Sequence, residues 1–91
     1  MSALKGKTAI VMGASGTSNF GTAIARKLAS EGANVVVSAR RKEPLEALAS
    51  EINGLAVACD VTQEAQIEAL FSAATAQYGG VDIAVYSAGI H

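Results

Sequence analysis

Thr8-Ala-Ile-Val-Met-Gly13-Ala-Ser-Gly16-Thr-Ser-Asn-Phe-Gly21-Thr-Ala-Ile-Ala25 decides the fold. An apolar strand runs into a Gly/Ser loop, and the loop opens directly onto an amphipathic helix. Gly13 suits the tight turn off the strand, because it lacks the Cβ that disfavours φ > 0. Gly16 lets the backbone approach a ligand closely, and Gly21 lets the helix pack against the strand. The unpaired N–H groups of the first helical turn, with the positive end of the helix dipole behind them, face whatever sits above the loop. That arrangement suits a pyrophosphate. Ser15 and Asn19 can serve as helix caps or as ligand contacts, and the two roles are compatible.

Outward from this stretch, strands and helices alternate strictly. Thr8 to Met12 reads as a strand and Phe20 to Ser30 as a helix, closed by Gly32 just past its end. Asn34 to Ala39 is a second strand, whose β-branched run suits burial on both faces of a parallel sheet. Pro44 sits where a first-turn proline is tolerated, with Leu45, Leu48, Ala49 and Ile52 along one helical face. Leu55 to Cys59 reads as a third strand. Thr62 is the expected cap of the next helix, with Ala65 where a capping-box Glu or Gln would stand. Ile67, Leu70, Phe71 and Ala74 form that helix's apolar stripe, and Gly79-Gly80 ends it. Val81 to Ser87 is the fourth strand. Strand–helix–strand repeated in this way implies right-handed crossovers and an α/β fold with helices on both faces of a parallel sheet.

Composition narrows the function classes. The 91 residues are 51% hydrophobic and 16% charged, as expected of a single folded α/β domain. With a net charge of −1 and no basic cluster beyond Arg40-Arg41-Lys42, a nucleic-acid surface is not expected. The first seven residues, Met-Ser-Ala-Leu-Lys-Gly-Lys, form neither a signal peptide nor a membrane span. One cysteine, Cys59, cannot form an internal disulfide, which fits a reducing, cytoplasmic setting, and it reads as a small buried apolar residue. There is no C-x-x-C, no H-E-x-x-H and no other ligand cluster, so no metal is expected.

Four landmarks in order make the chain resemble the short-chain dehydrogenase/reductase family over essentially its whole length. They are the loop Gly13 to Gly21, the basic pair Arg40-Arg41 after the second strand, Cys59-Asp60-Val61 after the third, and Tyr86-Ser87-Ala88-Gly89 after the fourth. The resemblance implies a Rossmann-type, doubly wound, three-layer α/β/α architecture with strand order 3-2-1-4. It also implies a nicotinamide dinucleotide site. Gly13, Ser15, Gly16, Asn19, Phe20 and Gly21 would lie at the pyrophosphate, and Arg40 and Arg41 at the adenosine ribose. Asp60 and Val61 would lie at the adenine, with Ser87, Ala88 and Gly89 around the nicotinamide end. Ala39 occupies the place where NAD-preferring relatives often carry an acid for the ribose hydroxyls. A missing acid followed by guanidinium groups suits a 2′-phosphate, so NADP(H) is expected ahead of NAD(H).

Departures from the family pattern carry information too. The usual loop reads T-G-x-x-x-G-x-G, whereas Met12 replaces the Thr and Gly21 comes two residues later. Ser87-Ala88-Gly89 stands where N-A-G is usual. The longer loop resembles the divergent enoyl-acyl-carrier reductase branch, with Asn19-Phe20-Gly21 on the last three positions of its G-x-x-x-x-x-S-x-A pattern. The Ala88-Gly89 ending and the arginine pair look more like a carbonyl or alcohol reductase. The family's catalytic Ser and Tyr-x-x-x-Lys have no counterpart through His91, so no catalytic residue is assigned, and the fourth strand is expected to be an apolar edge. The reading is the cofactor-binding half of an NADP(H)-dependent oxidoreductase acting on a carbonyl or alcohol, inactive alone and completed by its other half or by self-association. The alternatives are an enoyl-thioester reductase and a non-catalytic dinucleotide-binding or assembly fragment.

Overall fold

A computed structural model describes residues 4–13, 20–60 and 62–86. Seven elements alternate along it: β1 (Thr8–Met12), α1 (Phe20–Ser30), β2 (Asn34–Ala39), α2 (Lys42–Ile52), β3 (Leu55–Ala58), α3 (Glu64–Tyr78) and β4 (Ile83–Tyr86). The strands form one sheet in the order β3-β2-β1-β4, and every pairing is parallel. This is the Rossmann-type order the resemblance implies.

Strand chemistry explains why β1 and β2 are central. Their Val, Ile and Ala residues suit pleated positions closed on both faces. Successive residues feed opposite layers. Val35, Val37 and Ala39 join Val11, Ala25, Leu45, Leu48 and Ala49 on the α1/α2 face. Val36 joins Ile10, Cys59, Leu70 and Ala74 on the α3 face. Leu45 and Leu70 are fully buried, and each such side chain contributes about 1.5–3 kcal/mol. The apolar stripes expected of α2 and α3 therefore meet the sheet as anticipated. Cys59 is buried and unpaired.

Local chemistry also sets the element ends. Gly32 takes φ 94° beyond α1, and the Ala33 N–H reaches back to Leu28 O. Gly79 caps α3 at φ 89°, its N–H donating to Thr75 O. At α2 the left-handed cap is Asn53, with φ 57°. Three expectations need correction. The third strand ends at Ala58, although the Cys59 N–H still donates to Ala39 O at 2.9 Å. The fourth runs Ile83–Tyr86, because its pairing with β1 begins only at Ala9↔Ile83. Thr62 is not the cap of α3; Gln63 is, with no side-chain cap bond, because the Thr62 hydroxyl is engaged by Asp60.

Strand β4 forms one border of the sheet, with Ala84 exposed and Tyr86 53% exposed, as expected of an apolar edge. No described helix is long and apolar enough to cross a membrane.

Candidate dinucleotide site at the carboxyl edge

A parallel sheet puts all its carboxyl ends on one edge. The chain proceeds from β1 through β2 to β3 on one side, and β4 then returns to the other side of β1. That reversal opens a crevice beyond β1 and β4, the usual place for a ligand in such sheets. Gly13 stands at its mouth, directly after β1. Its φ of 90° is strained for any other residue, and its N–H donates to Ser38 O at 2.7 Å. The loop then opens α1, where Phe20 is the first helical residue and Gly21 is buried in the first turn. No acidic residue occupies that turn, so no acidic side chain of the turn opposes an anion at the helix start.

Arg40 follows β2 and is exposed. Arg41 is the N-cap residue of α2, also exposed, in extended conformation and without a side-chain cap bond. Among the described residues neither guanidinium forms an ion pair, in contrast to Arg26, which grips Glu51 through Nε at 2.6 Å. Ala39, on the strand side of Arg40, is buried and carries no acid. Ser38 is 1% exposed, and among the described residues its Oγ has no hydrogen-bond partner.

Asp60 follows β3. Its Oδ1 accepts from the Thr62 N–H at 2.9 Å and from the Thr62 hydroxyl at 2.7 Å. These bonds, with the Thr62 hydroxyl the larger influence and the Arg40 charge a smaller one, hold the carboxyl below the ordinary aspartate value. The group is therefore ionised at neutral pH. The Cys59 N–H donates to Ala39 O at 2.9 Å, which makes the turns after β2 and β3 neighbours.

The structure thus brings Gly13, Phe20, Gly21, Arg40, Arg41 and Asp60 to one edge or the loop that leaves it. Ser15, Gly16, Asn19, Val61, Ser87, Ala88 and Gly89 lie outside the described residues. Sequence reasoning missed Gln66, whose Oε1 accepts the Asp60 N–H at 2.8 Å. Reading the cap one residue later, at Gln63, would have put Gln66 at the third helical position, where such a residue reaches backward. The edge carries a glycine turn, a helix start free of acids, two exposed guanidinium groups and an ionised acceptor. Among the described residues no cluster suited to a metal ion occurs.

Comparison with known proteins agrees with the fold. The family model described as short chain dehydrogenase matches residues 7–91. Glycine betaine reductase ATRR of Emericella nidulans is 46% identical over 92 residues, which cover 96% of this chain and 7% of that protein. 3beta-hydroxysteroid dehydrogenase 1 of Eggerthella lenta is 43% identical over 94 residues, covering 96% of this chain and 35% of the other. The crystal structure of 3-ketoacyl-(acyl-carrier-protein) reductase from Brucella melitensis complexed with NADH superposes with a TM-score of 0.84 at 42% identity. It covers 90% of this chain and 34% of that one. The chain thus spans 7–39% of the length of the curated relatives it matches.

Proposed function

The chain belongs to the short-chain dehydrogenase family, and on that premise we propose that it is the dinucleotide-binding part of an NADP(H)-dependent oxidoreductase. The substrate class is a carbonyl or alcohol. A hydroxysteroid dehydrogenase and a 3-ketoacyl reductase among its relatives act, by name, on such carbons, which favours this reading over an enoyl-thioester reductase. When bound, the cofactor supplies or accepts the hydride. These residues bind and orient it, and no catalytic residue is assigned among them. The substrate pocket and proton-transfer groups belong to the rest of a protein of the relatives' length, supplied by a complementary C-terminal half or a homo-oligomer in a cytoplasmic setting.

Gly13, Ser15, Gly16, Asn19, Phe20 and Gly21 hold the pyrophosphate at the start of α1. Arg40, with Arg41 beside it, takes the 2′-phosphate by charge-assisted hydrogen bonds. Asp60 accepts from the adenine amino group, with Val61 beside the ring, and Ser87, Ala88 and Gly89 support the nicotinamide end. The observation that carries the NADP(H) reading is the exposed, uncommitted Arg40-Arg41 pair following an acid-free strand end at Ala39. The Brucella relative was crystallised with NADH, so direct competition is the test. Titrating the complete protein with NADPH and NADH should show tighter binding of NADPH, with the difference shrinking as salt rises. Equal affinities would overturn the phosphate assignment, and no binding of either would overturn the site.

A further inference from the structure

The turn from β3 to α3 holds Asp60 by more bonds than a short connection requires. Its C=O accepts from the Gln63 N–H at 2.9 Å. Its Oδ1 takes both Thr62 donors. Its N–H is taken by a side chain six residues ahead, the carboxamide oxygen of Gln66, at 2.8 Å. Among the described residues the polar atom of Asp60 left without a protein partner is Oδ2.

The Thr62 bonds are those of an ordinary aspartate turn. The Gln66 bond is not. Gln66 is the third residue of α3, a position from which Gln commonly reaches back to the N–H of the cap residue. Here it passes over Gln63 and closes on Asp60, which fixes the backbone from which the carboxylate projects. We propose that Gln66 is a positioning residue for the purine base. By holding the Asp60 amide it keeps the one uncommitted carboxylate oxygen where it accepts an exocyclic amino group and turns away a 6-oxo base. The proposal rests on the dinucleotide reading above.

The selectivity has a simple origin. A carboxylate only accepts hydrogen bonds, and an amino group only donates, so adenine and Asp60 are complementary. A 6-oxo purine would set two acceptors face to face and leave both unpaired, which costs more than a lost contact. That penalty operates only if the carboxylate cannot swing aside. Removing Gln66 should therefore erode discrimination between the two bases, beyond any loss of affinity.

The test is calorimetric titration of the complete protein with NADPH and with its hypoxanthine analogue, reduced nicotinamide hypoxanthine dinucleotide phosphate. Gln66→Ala should weaken NADPH about three- to tenfold, leave the analogue nearly unchanged and so lower the ratio between them. Gln66→Glu, which keeps an acceptor oxygen at the same reach, should restore most of the ratio. Asp60→Asn should lower it at least as far as Gln66→Ala. A reduced melting temperature for Gln66→Ala with the ratio intact would show a helix cap and nothing more, and would overturn the proposal. If Asp60→Asn collapses the ratio and Gln66→Ala does not, the base contact stands and the positioning role falls. If the unsubstituted protein fails to discriminate, the base contact itself is wrong and the proposal goes with it.

Discussion

The two ends of the sheet are built from different materials. At the amino edge, connections are closed largely by backbone. The Leu4 N–H donates to Glu31 O and the Asn34 N–H to Lys7 O, both at 2.8 Å. Thr8 and Asp82 exchange bonds in both directions, Thr8 N–H to Asp82 Oδ2 at 2.9 Å and Asp82 N–H to Thr8 O at 2.8 Å. At the carboxyl edge the turns after β2 and β3 carry the exposed Arg40 and Arg41, which form no ion pair among the described residues, and Asp60, whose turn is closed largely by side chains. On the proposed dinucleotide reading, stability is concentrated at one end and recognition at the other. Polar groups spent on internal bonds cannot also meet a ligand, and groups left open for a ligand contribute little to folding.

Substitutions at the two ends should therefore give opposite signatures. The largest effect is expected at Arg40. Arg40→Ala should weaken NADPH about ten- to hundredfold, the loss of a charge-assisted bond, with NADH affinity and melting temperature nearly unchanged. Competitive titration checks this, and equal losses for both cofactors would make Arg40 structural. Gly54, which precedes β3 at the other end, should behave in the reverse way. A Cβ there would sit 2.5 Å from the backbone oxygen of Val35, which cannot move aside cheaply. Gly54→Ala should cost about 1–3 kcal/mol, seen as a lower melting temperature, while the folded fraction keeps its NADPH/NADH ratio. Asp82→Ala should follow, at about 0.5–1.5 kcal/mol for one lost bond to the Thr8 N–H. A changed cofactor ratio in either variant would break the division between the edges.

The smallest effect is a titration. Asp60 ionises more easily in the folded chain than in the unfolded one. Its contribution to stability is present above the ordinary aspartate range and is lost as pH falls through the lower, folded value. NMR titration of the Asp60 carboxyl should place its midpoint below that of an unstructured aspartate. Thr62→Ala should move the midpoint back further than Arg40→Ala does, since the Thr62 hydroxyl is the larger cause. The reverse order would mean that the arginine, not the turn, sets this carboxylate.

Much of the fold was legible because each early element carries its own signal. The Val-rich run fixes β2, the Gly/Ser loop and Gly32 bound α1, and both were read with the limits the structure shows. The carboxyl-edge residues were named mainly by the family resemblance, and the alternation explains why they meet, since a parallel sheet brings every strand end to one side. What was not legible depends on partners distant in sequence or on competition between near ones. Nothing in the local pattern shows that Asp82 meets Thr8. The start of α3 was misplaced because Thr62 looks like a cap, yet its hydroxyl prefers the adjacent carboxylate, and Gln63 caps without using its side chain. That misplacement hid Gln66.

The exchange between Thr8 and Asp82 spans 74 positions, and this separation governs the order of assembly on the ribosome. At roughly 5–20 residues per second, about 4–15 s pass between the emergence of one partner and the other. Throughout that interval the first strand can pair only toward β2, and its opposite flank stays open. The nascent chain therefore passes through a three-stranded stage, β3-β2-β1, with β1 at its border, and the arrival of residue 82 is the moment when β1 ceases to be an open edge.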